Sequence, residues 1–371
     1  MTAPNFDTAL EQLQLSGWGI AAPMFLSLWQ NSPQDLKSGL MAGVGLAETG
    51  REAEGAALLS FLSDQNPIIR TAQFTPGLAP ALQHASKSAD KIIRKTFSQI
   101  QRGAIASCPA PGRISTALWP QTHDGPVPYK SANGERDYPR PYVFFAPDLP
   151  PVEFFETAKW CRALSEQTQL IRKEYLSLMH HNTQAGQPYV DAAAALGPNW
   201  SDLKGSDDWT AVHLFKDGVR QAQAEHCPLT CHALDAVPIT RQNGIPIEVF
   251  FSVLAPGTVI PPHHGLANSR VTVHLPLILP QADREDELGI RIGQHTRSWQ
   301  MGEPIIFDDS FDHSAWNTTD APRVVLIFEA WRPDMTEGEI EAVKASYEAR
   351  ESYLETRATL IRQLIGPSAS T

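Results

Sequence analysis

The chain of 371 residues is 42% hydrophobic and 19% charged, an ordinary globular composition with apolar material for two or three domains. Its formal net charge of -11 argues against a nucleic-acid partner, since phosphate binding needs clustered Lys and Arg. No run approaches the roughly 18 apolar residues that span a bilayer, and Met1-Thr2-Ala3-Pro4-Asn5-Phe6-Asp7 has no basic segment ahead of an apolar one, so a cytoplasmic chain without an export signal is expected.

Residues 1–66 read as helical. Small residues at 40–59, Gly50-Arg51 at a turn and a closing Asn66-Pro67 resemble one tetratricopeptide-like hairpin, without a second copy at the spacing such arrays require. A further helix is predicted over 86–106, with Ile92, Ile93, Phe97 and Ile100 at helical spacing. Residues 1–107 are therefore expected to form an α-helical N-terminal region, a cap or interaction module that could dock a protein partner. A Pro/Gly-rich stretch from Cys108 to Pro151 reads as an irregular crossover, and residues 151–181 as helix.

Four cysteines occur, and Cys227-Pro-Leu-Thr-Cys231 is the only close pair. His226 and His232 flank it, but no second cluster completes a zinc site, so two reduced thiols in a loop are expected. Beyond this point the period changes. Runs at 247–254, 271–279, 289–293, 297–300, 304–309 and 323–331 are short, rich in Val, Ile, Phe and Trp, and bounded by turn residues, as in a sandwich or jelly roll. Thr336-Glu337-Gly338-Glu339 resembles a capping box that opens a last helix running towards Ile365. The predicted fold is mainly β, a jelly-roll domain over 108–371 carrying that C-terminal helix.

Two histidine signatures stand fifty residues apart in the β region: Pro262-His263-His264-Gly265 and the string from Phe307 through Asp312-His313 to Trp316. Two imidazoles on successive strands, followed by Arg323, can hold a non-haem iron and a dicarboxylate. The usual third ligand is a carboxylate two residues after the first histidine, and here that position is Gly265, which allows positive φ and close backbone approach. Spacing alone leaves open whether His263 is a ligand or a solvated loop side chain. Asp308, Asp309 and Asp312 could supply a carboxylate or could cap local turns, with Asp309 the better candidate for orienting a histidine. His264 reads as an exposed loop histidine, His295 as a hairpin-turn residue, and Trp299 and Trp316 as sandwich-core aromatics.

The wider string is more specific. Phe251-Ser252-Val253-Leu254-Ala255-Pro256-Gly257, Pro262-His263-His264-Gly265, Asn268-Ser269-Arg270, His274-Leu275, Arg297-Ser298-Trp299, Ile306-Phe307-Asp308-Asp309-Ser310-Phe311-Asp312-His313, Arg323 and Trp331-Arg332-Pro333 resemble the aspartyl/asparaginyl β-hydroxylase family. The resemblance runs over about residues 150–335 and implies a double-stranded β-helix dioxygenase using Fe(II), O2 and 2-oxoglutarate. Its members bind iron through two histidines and lack the carboxylate, so Gly265 fits. The resemblance makes His263 and His313 the iron ligands and gives Arg323, Ser252 and His274 to 2-oxoglutarate. It gives Arg270 to an acidic group of the substrate. One position departs from the family: Thr272 stands where members often have a second arginine for the cosubstrate.

The implied reaction is hydroxylation of a C–H bond, at the β-carbon of Asp or Asn in a peptide or at a related small acidic molecule, releasing succinate and CO2. Relatives that hydroxylate a lipid A acyl chain offer a second reading. A non-catalytic interaction protein built on the helical N-terminus is a third.

Overall fold

The computed structural model describes residues 5–130, 136–156, 158–182, 185–194, 197–242, 244–284 and 286–366, so Met1 to Pro4 of the N-terminal reading lie outside it. The chain divides into two compact units, residues 1–127 with 341–371, and residues 128–340. No helix among the described residues is long and apolar enough to cross a membrane.

The first unit is helical. Helices α1 (Phe6–Ser16), α2 (Trp18–Asn31), α3 (Leu36–Glu48) and α4 (Glu52–Gln65) follow one another, then the single turn α5 (Ile68–Thr71) and the long α6 (Pro80–Ala106). Their starts are written in the sequence. Asn5 caps α1 by accepting from Thr8 N at 2.8 Å, Asp35 caps α3, and Pro80 opens α6, where a missing N–H costs nothing. The hairpin of α3 and α4 closes on small residues. A Cβ on Gly43 would lie 2.6 Å from Leu59 Cγ, and one on Gly55 would lie 2.6 Å from the Gly43 carbonyl.

The last helix, Glu337–Ile365, begins with the expected box: Glu339 N donates to Thr336 Oγ1 at 3.3 Å, and Thr336 N donates to Glu339 Oε2 at 3.0 Å. From Glu341 onward it belongs to the helical unit, not to the β region in which the sequence reading placed it. Tyr353 meets Phe97 edge-on at 5.1 Å, Arg357 pairs with Asp64 at 2.6 Å, and Ile361 and Leu364 are buried. The expected boundary at residue 107 also moves. Trp119 packs on Phe97, and Arg94 donates to the His123 carbonyl, so the Pro-rich stretch as far as Val127 stays on α6.

The second unit opens differently from the predicted single helix over 151–181. Strand β1 (Phe154–Phe155) pairs with Phe307 and Ile306, and the helices are α7 (Lys159–Glu166) and α8 (Thr168–His181). Then come β2 (Gln187–Pro188), β3 (Trp209–Lys216), β4 (Val219–Arg220), α9 (Pro228–Ala233), β5 (Arg241–Gln242) and β6 (Ile245–Pro246). Cys227 and Cys231 flank the start of α9 and the body of it as free thiols. The β region proper is β7 (Val249–Leu254), β8 (Thr258–His263), β9 (Arg270–Ile278), β10 (Leu288–Ile292), β11 (His295–Arg297), β12 (Ile305–Phe307), β13 (His313–Asn317) and β14 (Arg323–Trp331).

These strands form two antiparallel sheets. The larger runs β1-β12-β9-β14-β7-β3-β2 with β4 beside β3, and the smaller runs β11-β10-β13-β8. From β7 onward the chain steps from one sheet to the other: β7, β9, β12 and β14 lie in the larger, β8, β10, β11 and β13 in the smaller. That alternation is the double-stranded β-helix. Strands β3, β8 and β13 lie outside the apolar runs that predict strands, although the histidine pair is expected on successive strands. In β8 the pair Pro261-Pro262 obscured it, yet β8 is an edge strand, where a missing N–H is tolerated.

Period-2 alternation assigns each face of the larger sheet. Val324, Leu326, Phe328 and Ala330 of β14, Val249 and Phe251 of β7, and Val271, Val273 and Leu275 of β9 are buried with Ile171 and Leu178 of α8. Each such side chain contributes about 1.5–3 kcal/mol on burial. The intervening residues, Arg323, Ile327 and Glu329, Phe250 and Ser252, and Thr272 and His274, face the opposite way and line a cavity of about 630 Å³.

Candidate metal and cosubstrate site

His263 closes β8 and His313 opens β13, and the two are register partners across the smaller sheet. Their ring centroids lie 3.9 Å apart. His263 Nδ1 lies 2.8 Å from the Pro261 carbonyl, and His313 Nδ1 lies 3.0 Å from the Phe311 carbonyl. A carbonyl can only accept, so in both rings Nδ1 carries the proton and Nε2 keeps its lone pair. Burial holds both rings neutral, His263 pushed down to about 3 and His313 to about 4. Two neutral imidazoles with the same free nitrogen are what an iron or zinc ion takes as ligands.

Arg323 opens β14 on the same cavity. It is 1% exposed, and among the described residues no acidic side chain offsets it: burial pulls its guanidinium down to about 9. Its Nε has no hydrogen-bond partner, and Nη1 reaches Ser252 Oγ only at 3.5 Å. Ser252 in turn accepts from the Trp209 indole at 3.0 Å. The Trp299 ring lies 4.8 Å from the guanidinium carbon, and its indole N–H donates to His274 Nδ1 at 3.3 Å. An indole only donates, so His274 carries its proton on Nε2, the opposite tautomer to the histidine pair. Burial, then Arg323, holds His274 neutral. Trp299 is thus buried as expected, but it braces both an arginine and a histidine of the site.

At Gly265 close approach is what requires glycine. A Cβ there would lie 2.2 Å from Asp309 Oδ1, and Gly265 N donates to the Asp309 carbonyl at 2.7 Å. The space beside the absent side chain is filled by the Asp309 carboxylate. Thr272 Oγ1 donates to Asp309 Oδ2 at 3.0 Å, so the residue standing in place of the second arginine holds that carboxylate. The other two aspartates turn away. Asp308 accepts from Ser310 N in an Asx turn and faces Arg332, while Asp312 pairs with Arg291 at 2.6 Å.

Arg270 is engaged. Its Nη1 lies 2.8 Å from Glu329 Oε2. His264 lines the cavity with Nδ1 against the Ser310 carbonyl, and is not simply a solvated loop residue. His295 sits on β11 against Glu153. Trp316 is no core aromatic: its ring covers Gly289 and its N–H reaches the Asp286 carbonyl. Glu248, Glu329, Tyr189 and Trp209 line the cavity although the sequence reading did not single them out. For Glu329 the signal was available, a carboxylate in an otherwise apolar strand. Tyr189 gives no such signal, since it reaches the cavity from outside the β-helix strands.

The family model for aspartyl/asparaginyl beta-hydroxylase matches residues 165–333. The chain is 31% identical over 179 residues to the Homo sapiens aspartyl/asparaginyl beta-hydroxylase, covering 47% of this chain and 21% of that protein. It is 30% identical over 185 residues to the ornithine lipid ester-linked acyl 2-hydroxylase of Rhizobium tropici, covering 50% of this chain and 61% of that protein. A Pseudomonas putida prolyl-4-hydroxylase structure covers 46% of this chain and 98% of its own, at 12% identity and a TM-score of 0.30, too low to carry any argument. The chain thus spans a fifth to three fifths of these two curated relatives. Residues 165–333, which contain strands β7 to β14 and with them the histidine pair, are thus the part of the chain that matches the aspartyl/asparaginyl β-hydroxylase family.

Proposed function

We propose that this chain is an Fe(II)- and 2-oxoglutarate-dependent dioxygenase that hydroxylates a C–H bond of a peptide or small molecule. The observation that carries the reading is Arg323, a buried guanidinium without a counter-ion among the described residues, lining the same cavity as two neutral imidazoles. An unpaired buried charge costs several kcal/mol, which a carboxylate ligand would offset. Arginine's planar fork matches a carboxylate bidentately.

The protein's share of the ligands in this reading is His263 and His313, register partners with both rings neutral. The donor chemistry fits iron. Fe(II) held there, with O2 and 2-oxoglutarate, would supply the oxidation that inserts one oxygen into C–H and releases succinate and CO2. The chain's own residues do the rest. Pro261 and Phe311 carbonyls fix the tautomers of the pair. Ser252 and Arg323 take the distal carboxylate of 2-oxoglutarate, and His274, braced by Trp299, offers a neutral donor. Asp309, filling the space beside Gly265, orients what binds next to His263. Phe307, Ile290 and Ala315 exclude water from this end.

The family points to the β-carbon of an Asp or Asn residue. Recognition of an acidic group through Arg270 has less support, because Glu329 already occupies that arginine. An acyl chain is the second reading, supported by the Rhizobium tropici relative. Anaerobic addition of Fe(II) and 2-oxoglutarate should give a metal-to-ligand charge-transfer band that His263→Ala abolishes. A wild-type protein with no band sinks the proposal, and mass spectrometry for a gain of one oxygen tells peptide from acyl products.

A further inference from the structure

The other end of the cavity has the opposite charge. Register sets Glu329 of β14 opposite Thr272 of β9, and the pairing of Phe328 with Val249 carries on to bring Glu329 beside Glu248. Glu248, Glu329 and Asp309 all line the cavity, and the Tyr189 phenol is kept from ionising by burial first and then by all three carboxylates. One arginine and one imidazole face them. Arg270 pairs with Glu329 at 2.8 Å and also faces Asp309, and His213 Nε2 lies 3.4 Å from Glu248. Three carboxylates therefore gather about a single guanidinium.

Aromatic rings frame the same wall. Tyr189 stacks on Trp209 with centroids 4.1 Å apart and on Phe250 with centroids 5.2 Å apart. Carboxylates beside stacked aromatic faces are the surroundings in which a cation is held, by charge-assisted hydrogen bonds and by the ring quadrupole. An anionic side chain placed there would meet like charge. That the cavity takes a ligand at all is marked independently, by the unpartnered N–H of the buried Arg323 at its far end.

We propose that the substrate is recognised through a cationic group, an amine or guanidinium, seated against Glu248, Glu329 and the Tyr189 ring. The inference rests on the dioxygenase reading and names its substrate class, in place of the acidic group expected from Arg270. It is tested on the full chain with N-acetylated, C-amidated tripeptides Gly-Lys-Gly, Gly-Gln-Gly and Gly-Glu-Gly. Binding is read by calorimetry, and the anaerobic charge-transfer band is recorded on the same protein. The lysine peptide should bind about tenfold or more tighter than the glutamate peptide, as for one charge-assisted hydrogen bond. Glu248→Gln should cut that preference several-fold. Glu329→Gln, which releases Arg270, should turn it towards glutamate. Equal or tighter binding of the glutamate peptide, no measurable binding of the lysine peptide, or an unchanged preference in Glu248→Gln overturns the inference. A missing band with the preference intact overturns the dioxygenase reading instead.

Discussion

Arg323 and Glu329 stand six residues apart on one face of one strand, and their surroundings are opposites. Around Arg323 a cation is buried with no carboxylate among the described residues to balance it; around Glu329 three carboxylates gather about the single guanidinium of Arg270. The even-numbered residues between them, Val324, Leu326 and Phe328, are ordinary core and show no imbalance. Charge left unbalanced on a buried face costs stability, so it marks where ligands of the complementary sign belong.

The largest effects are expected at the metal end. His263→Ala or His313→Ala should abolish Fe(II) retention and succinate release, measured by metal analysis and a coupled assay. Next is Arg323→Met. It should weaken 2-oxoglutarate binding by about a hundredfold or more, the scale of a lost buried charge pair. The same change should raise the melting temperature of the ligand-free protein, because it removes an unbalanced buried charge. Lowered stability with unchanged 2-oxoglutarate affinity would show Arg323 to be structural.

Gly265→Ala should cost about 1–3 kcal/mol in urea unfolding, since the new Cβ collides with Asp309. Gly265→Asp, which restores the customary third ligand in sequence, should be no better. A functional Gly265→Asp protein of wild-type stability would contradict the packing described.

The smallest effect expected is with pH at the acidic end. Burial pushes the Glu329 carboxyl up to about 7, Arg270 opposing this and Asp309 and Glu248 adding to it, with Thr240 donating a hydrogen bond. Between about pH 4.3, the ordinary carboxyl value, and that pH the folded protein holds a proton that the unfolded chain has lost. Glu329 therefore stabilises the fold relative to its ionised state at low pH, and this contribution is lost as pH rises through about 7. Over the same interval affinity for the lysine peptide should rise a few-fold, and Glu329→Gln should flatten that rise.

Much of this was legible along the chain. Strands β7, β9, β12 and β14 announce themselves as apolar runs, the Thr336 box opens its helix, and the ordered motif from Ser252 to Arg323 marks the family. Strands β8 and β13 were not legible, although they carry both histidines. Prolines in one and a polar aspartate-rich lead into the other hid them, and only edge position and sheet pairing make them strands. The last helix was correctly started but assigned to the wrong unit, because its capping box is local whereas its contacts with Phe97 and Asp64 lie hundreds of residues away.

Residue types and their period are set along the chain: which side chains alternate to one face, and that the candidate site has two histidines and an arginine, with Gly265 where a carboxylate ligand is usual. Tertiary structure decided their state. It placed Asp309 in the space of the missing side chain, gave Arg270 to Glu329, left Arg323 unbalanced, and gathered Glu248 and Tyr189 from separate segments. Spacing fixes which face a residue takes, but pairing, desolvation and charge balance depend on neighbours that only folding brings together.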